Sequence, residues 1–400
     1  MMKPDWQTLR LKRGEDRRIR AGHAWVFSNE VDTRATPLRG LSPGTPVVVE
    51  DHLGRTLGSA YVNPASLICA RLYSPVPGRR LDREFFRERL AAALSLRRRY
   101  FPEPYYRLAH GESDDLPGLV VDRYGGVCVV QVTTAGMEAA RGAAAAALEE
   151  LLRPEILVFK DDSPLRALEG LPVVDPSAAP GMPEAVRVVE NGVAFRAPLR
   201  EGQKTGWYFD HRLNRRELAG LARGARVLDC FCYVGGWGLQ ALAAGARELV
   251  AVDASATALS VLEANARELG VGERVEVRRG DVFEVAARLR RSGAVFDVVV
   301  LDPPAFIKRR RDAAAGRAAY LRLNRAAMEL VADGGLLVSA SCSHHLARAE
   351  LVDIVRRAAL RAGRRARIVF EGHQGPDHPV HPAIPETAYL KALFVEIRRP

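Results

Sequence analysis

The rhythm of apolar and polar positions changes twice along this chain of 400 residues, marking off three zones. Up to about residue 75, short apolar runs alternate with turn residues: H-A-W-V-F-S, S-P-G-T-P-V-V-V-E-D, L-G-S-A-Y-V-N-P and S-L-I-C-A-R-L-Y. Short strands at that spacing, with Gly and Pro between them, predict a small β-barrel or sandwich. After a turn-rich linker at 75–80, the stretch L-D-R-E-F-F-R-E-R-L-A-A-A-L-S-L-R-R-R places Leu81, Phe85, Leu90 and Leu94 near helical spacing. That predicts an amphipathic helix. A strand pair follows, G-L-V-V-D-R-Y-G-G-V-C-V-V-Q-V, turning at Tyr124-Gly125-Gly126, then an alanine-rich helix and the strand I-L-V-F-K. This second zone, 76–185, predicts a small α+β module ending in the proline-rich stretch 172–183.

From about residue 186 strands alternate with helices, the pattern of βαβ units and a parallel sheet. The expected strands are A-R-V-L-D-C-F, E-L-V-A-V-D, V-E-V-R-R-G-D, F-D-V-V-V-L-D and G-L-L-V-S-A-S-C, with A-R-I-V-F-E and Y-L-K-A-L-F-V-E-I closing the chain. The expected organisation is therefore three domains: 1–75, 76–185 and 186–400. Length agrees, because a single hydrophobic core stops growing below this size.

Composition narrows the class. The longest apolar runs are strand-sized, short of the roughly 20 residues a membrane-spanning helix needs, and no signal-type apolar block follows the basic N-terminus. A cytoplasmic protein with no membrane association is expected. Five cysteines, with no C-x-x-C pair and no cysteine–histidine ladder, argue against a disulfide framework and against a structural zinc site, so no metal is expected. The formal net charge is +11, and residues 1–100 alone hold 19 Lys and Arg against 10 Asp and Glu. Such asymmetry favours a polyanionic partner over an evenly solvated surface.

Chemistry concentrates at the ends of the predicted parallel strands, where open α/β sheets bind ligands. Asp229 ends the first, Asp253 the second, Asp281 follows the third and Asp302 ends the fourth. A single aspartate there is explained by helix capping; four in register favour a nucleoside-type ligand. The turn C-F-C-Y-V-G-G-W-G lacks G-x-G-x-x-G spacing, which disfavours a dinucleotide. Cys342, in V-S-A-S-C-S-H-H, stands where the fifth strand runs out and reads as packing residue or nucleophile. His344 and His345 could assist it, but an unpaired histidine is more often a capping or packing residue. Lys308, Arg309, Arg310 and Arg311 crowd the loop beyond Asp302, a cluster suited to phosphate neutralisation. Trp25, Phe27 and Tyr61 could stack bases, although aromatics of small barrels are mostly core.

Taken together, D-x-F-x-Y-x-G, V-D-A-S, G-D and L-D-P-P-A-F resemble the motif series of class I S-adenosylmethionine-dependent methyltransferases. With E-G-Q-K-T-G-W-Y-F-D-H-R, S-C-S-H-H and P-E-T-A-Y-L-K, the chain resembles the RlmI-type family of large-subunit (23S) rRNA cytosine-5 methyltransferases; A-G-H-A-W-V-F-S-N-E looks like that family's PUA domain. The resemblance implies an α/β fold: a Rossmann-like domain with a seven-stranded, mostly parallel sheet whose last strand is inserted antiparallel, behind an N-terminal PUA β-barrel and a small α+β domain. It implies S-adenosyl-L-methionine as cofactor and 23S rRNA as partner, with a homodimer left open. Carried over motif by motif, Asp229, Phe231 and Gly235 would shape the cofactor cradle, Asp253 would hold the ribose, and Asp281 with Val282 would border the adenine. Thr205 and Asp210 would lie near the methionine end, and Asp302 where cofactor and base meet. Cys342 would be the nucleophile and Asp302 its catalytic partner, donating or sharing a proton at N3 of the base. The motif after the fourth strand carries Ala305 where several such enzymes have a second cysteine. An rRNA guanine-N methyltransferase and a non-catalytic RNA-binding ribosome assembly factor are the alternatives, with a nicotinamide oxidoreductase a distant third.

Overall fold

The computed structural model describes residues 6–176 and 181–400, so part of the proline-rich stretch 172–183 lies outside the described residues. Two compact units result. One comprises Met1–Val186, Pro198–Trp207 and Pro376–Thr387; the other comprises Arg187–Ala197, Tyr208–Gly375 and Ala388–Pro400.

The first unit opens with strands β1 (Gln7–Arg10), β2 (Trp25–Phe27), β3 (Thr45–Glu50), β4 (Thr56–Val62) and β5 (Ile68–Ser74), with the short helix α1 (Arg17–Arg20) after β1. They form one five-stranded sheet in the order β1-β3-β4-β5-β2. Its core is Leu9, Val26, Val47, Val49, Ala60 and Val62, the inward residues of alternating strands. β1 was not expected from sequence, since Q-T-L-R is short and polar. It is held as a parallel partner of β3, which buries Leu9.

The α+β module follows as helix α2 (Arg83–Tyr100), strands β6 (Tyr105–His110), β7 (Leu119–Tyr124) and β8 (Val127–Val132), helices α3 (Ala135–Ala139) and α4 (Arg141–Leu152), strand β9 (Ile156–Phe159) and helix α5 (Leu165–Leu168). Asp82 caps α2 by accepting from the Phe85 N–H, and the helix buries Phe85, Phe86, Leu90 and Leu94. Its Arg97 is fully buried, paired with Asp114 and donating to the Arg107 carbonyl, which compensates the burial of its charge.

All three aromatics considered for base stacking have other partners. Tyr61 is 2% exposed, donates its hydroxyl to the Pro117 carbonyl, and packs so tightly on Gly136 that a Cβ there would meet the ring at 2.0 Å. It is core. Trp25 donates Nε1 to Glu112, which also receives Arg71, while Phe27 lies under the Arg18 guanidinium. The arginine excess is likewise partly committed: Arg10 pairs with Glu50, Arg18 with Glu30, and Arg20 and Arg55 with Asp51.

The hairpin β10 (Ala185–Glu190) and β11 (Val193–Pro198) turns through Asn191 and Gly192, both at positive φ. This Asn-Gly pair is the strongest short-range hairpin signal a sequence offers, and the strand pattern around it went unread.

The second unit is built on α6 (Arg212–Leu221), β12 (Arg226–Cys230), α7 (Gly238–Ala243), β13 (Glu248–Asp253), α8 (Ala256–Glu268), β14 (Val275–Arg279), α9 (Val282–Arg291), β15 (Phe296–Leu301), α10 (Ala313–Met328), β16 (Val331–Ser341), α11 (Arg348–Arg361), β17 (Arg365–Gly372) and β18 (Lys391–Arg398). The seven strands lie in the order β14-β13-β12-β15-β16-β18-β17. β12 to β16 run parallel, and β18 enters antiparallel between β16 and β17. The central strands are continuous apolar runs because helices cover a parallel sheet. Strand order reverses beside β12, which opens a crevice at the carboxyl ends of β12 and β15.

Candidate active site

The turn after β12 is shaped by backbone conformation first. Phe231 and Tyr233 take φ of 64° and 48°, and Gly235 takes 91°. A Cβ at Gly235 would stand 2.7 Å from Leu239, and one at Gly238 would stand 2.5 Å from Leu249. The glycines therefore let the loop close onto the sheet edge. Asp253, at the end of β13, fastens it by accepting from the Tyr233 and Ser255 N–H groups.

Asp229 sits beneath this turn, fully buried, with Oδ2 accepting from the Gly238 N–H at 3.0 Å. Its Oδ1 is buried with no hydrogen-bond partner among the described residues. Burial, with Asp302 and Asp253 nearby, pushes its pKa up to about 7. Asp229 Oδ1 is therefore a buried acceptor suited to a cation or donor group.

Asp302, one residue beyond β15, accepts from Trp237 Nε1 at 3.0 Å and from His211 Nε2 at 3.2 Å. Burial pushes its carboxyl up, but the His211 and Trp237 contacts and the Arg215 guanidinium outweigh that and hold it below the usual carboxylate value. Asn214 donates both to the His373 carbonyl and to His211 Nδ1, so His211 carries its proton on Nε2 and presents it to Asp302. At neutral pH Asp302 is thus a carboxylate anchored by His211 and Trp237.

Cys342 is one residue beyond β16. Ser341 and Ser343 on either side are buried, and both hydroxyls meet the Tyr320 hydroxyl of α10, at 2.9 and 3.0 Å. Cys342 lies between these two braced serines, and the Ser343 N–H folds back onto the Ser341 hydroxyl. Cys69, Cys128, Cys230 and Cys232 are buried, whereas Cys342 is partly accessible. Burial pushes the Cys69 and Cys128 thiols up to about 12 and about 11. Leu301 of β15 stands in register with Ser339 of β16, so two adjacent strand ends carry Asp302 and Cys342. Ideal strand spacing separates their Cα atoms by roughly 8 Å. Burial raises the Tyr208 hydroxyl, and the charges of Tyr233, Asp210, Asp302 and Cys342 add to that rise; its ring meets that of Tyr233 edge-on at 5.6 Å.

A profile described as S-adenosylmethionine-dependent methyltransferase matches residues 174–395, and a PUA-like domain profile matches residues 9–75. The chain belongs to the S-adenosylmethionine-dependent methyltransferases. Within that family it is 36% identical over 398 residues to a protein of Shewanella amazonensis named ribosomal RNA large subunit methyltransferase I, covering 97% of this chain and 99% of the relative. The Aeromonas hydrophila protein of the same name is 36% identical over 399 residues, covering 98% and 99%. These place it among the RlmI-type proteins. The fold is shared with a methyltransferase crystallised with SAH, at TM-score 0.82 and 19% identity over 98% of this chain and all of the other. A SAM-dependent methyltransferase of Streptococcus mutans superposes at 0.81, also at 19% identity and over the same shares.

The cofactor of this methyltransferase is S-adenosylmethionine, and its residues fit one. The cofactor carries an ammonium and a sulfonium, and the buried Asp229 with its open Oδ1, flanked by Asp253 and Asp302, supplies matching charge. The remaining expected positions fall as follows. Asp210 is buried and accepts from the Tyr389 hydroxyl. Asp281 is exposed and caps α9 through Phe283 and Glu284, and Val282 is core. Thr205 is fully buried in the first unit, where its hydroxyl donates to Asp122. Lys308, Arg309, Arg310 and Arg311 are exposed. Sequence reasoning missed His211, Trp237 and Tyr320. His211 and Trp237 lay inside quoted motifs, but nothing local says that they converge on Asp302. Among the described residues no group of His, Cys, Asp and Glu could hold a metal ion, and no helix is long and apolar enough to cross a membrane.

Proposed function

We propose that this methyltransferase forms 5-methylcytidine in large-subunit (23S) rRNA through a covalent Cys342 adduct. The observation that carries the reading is the accessible Cys342, held out by its serine brace at the strand end beside Asp302. The relatives' name supplies the RNA class, and an rRNA substrate implies a cytoplasmic setting. The PUA-like sheet and the exposed 308–311 cations suit a phosphate backbone.

Asp229 and Asp253 would hold the cofactor's charged and ribose groups, with Phe231 and Gly235 shaping the turn, Asp281 and Val282 bordering the adenine, and Asp210 toward the methionine end. When bound, the cofactor supplies an electrophilic methyl group. Cytosine C5 is a weak nucleophile, so Cys342 first adds to C6; the S–C6 bond forms, the C5–C6 π pair shifts into C4–C5, the C4–N3 π pair moves onto N3, which takes up a proton from solvent, and C5 becomes an enamine carbon. Asp302, a carboxylate anchored by His211 and Trp237, accepts from the exocyclic N4 amine and so favours cytosine over uracil. Once C5 carries its methyl group, loss of the C5 proton lets the S–C6 bond break and returns the thiolate. The target base has to be unstacked to reach the sulfur.

The test is transfer of labelled methyl groups to rRNA from a deletion strain by the wild type and by Cys342→Ala, with bisulfite sequencing of the product. Methylation of cytosine is expected to collapse while cofactor binding by calorimetry persists. Methylation of a guanine nitrogen that survives the substitution would overturn the reading.

A further inference from the structure

Lys391 is the first residue of β18, and its Cα stands opposite Ser341 in the antiparallel ladder with β16. Its side chain crosses the turn that carries Cys342, because Nζ donates to the Ser343 carbonyl at 2.7 Å, one residue past the thiol. The residue is 9% exposed, so an ammonium has been taken out of water beside an uncharged acceptor. A buried cation is unfavourable unless an anion accompanies it.

Two acids face it. Glu350 of α11 is committed to the Ala347 N–H and to Arg317. Cys342 is the other, and it favours the charged form of Lys391 against a burial penalty that brings the lysine down to about 8. The other titratable groups around the turn are the phenols Tyr320 from α10 and Tyr208, both raised by burial and further by Cys342, and the Asp302 carboxylate on the adjacent strand end, whose charge opposes a thiolate and which Lys391 has to outweigh. His344 packs its ring against Tyr389 at 5.5 Å.

We propose that Lys391 is a positioning residue that holds Cys342 as the thiolate. Ionisation of Cys342 releases its proton to water and leaves a sulfur anion beside the ammonium; each charge offsets the desolvation of the other. The backbone bond to Ser343 keeps the ammonium over the turn while the sulfur stays open on its accessible side. This inference rests on the nucleophile role of Cys342, but its test is independent of methyl transfer.

The rate of Cys342 alkylation by iodoacetamide, read by mass spectrometry of its peptide across a pH series, is the measurement. The other four thiols are buried, so the modification reports on this one. Lys391→Met is expected to move the inflection upward and slow alkylation about tenfold at neutral pH, while Lys391→Arg retains most of the wild-type profile. An unchanged profile in Lys391→Met, in protein that still binds S-adenosylhomocysteine by calorimetry, overturns the proposal. Should Lys391→Met not fold, the wild type decides: ultraviolet thiolate absorbance, taken as the difference from Cys342→Ser, is expected to inflect below the ordinary thiol value of about 8.5. An inflection at or above that value also overturns it. A shifted alkylation profile alongside undiminished methylation by Cys342→Ala would leave the ion pair standing and remove the covalent mechanism.

Discussion

Asp229 shows how one side chain can be unfavourable for the empty protein and still be kept. Its folded pKa is raised to about 7, so the stability linked to its protonated form is fully present below the unfolded value of about 3.9 and is lost as pH rises through 7. Cofactor-free protein is expected to lose thermal stability across that window, by on the order of 4 kcal/mol at most from this group. In Asp229→Asn that slope should flatten while cofactor affinity drops; melting curves against pH, with calorimetry, check both. Asp302 has the opposite sign. Its folded pKa is lowered, so its contribution is present above the unfolded value and disappears as acid takes the pH through the folded one. The two aspartates occupy similar strand ends, and their identities in the sequence say nothing of this difference. What separates them is company: His211 and Trp237 donate to one, a single Gly238 N–H to the other.

Elements carry the next set of expectations. The turn between β12 and α7 depends on Gly235 at positive φ with Leu239 and Leu262 close by. Gly235→Ala should cost about 1–3 kcal/mol and weaken cofactor binding, seen in denaturant midpoints and calorimetry. Asp281 caps α9, and Asp281→Ala should cost about 1 kcal/mol even in cofactor-free protein, a loss that a purely ligand-binding residue would not show. The parallel strands were legible because their apolar runs are long, helix-flanked and punctuated by Asp. β1 was not, because a short polar strand owes its existence to the partner it pairs with. For Tyr61 sequence favoured the core in general terms, and the register of its strand decides the particular partner, Gly136.

At the scale of the whole molecule the question is how a polyanion is recognised. The net charge of +11 predicts affinity for RNA, yet Arg10, Arg18, Arg20 and Arg55 already have carboxylate partners. The exposed 308–311 cluster is the better source of phosphate contacts. Replacing Lys308, Arg309, Arg310 and Arg311 with alanine should reduce the slope of log affinity against log salt by roughly 3, with little change in cofactor binding; filter binding to rRNA fragments across a salt series checks it.

Local order along the chain was enough to determine the alternation of strands and helices in the second half, the aspartates at strand ends and the place of Cys342 where the fifth parallel strand runs out. Periodicity and turn chemistry are properties of neighbouring residues, and they survive without a fold. Only the tertiary structure decided which groups share a site: His211 and Trp237 on Asp302, Tyr320 bracing the serines, Lys391 crossing the cysteine turn, and Pro198–Trp207 with Pro376–Thr387 joining the first unit. Those pairings span dozens to hundreds of residues. They exist because strand order in a sheet differs from chain order, and burial there sets which charges must find one another.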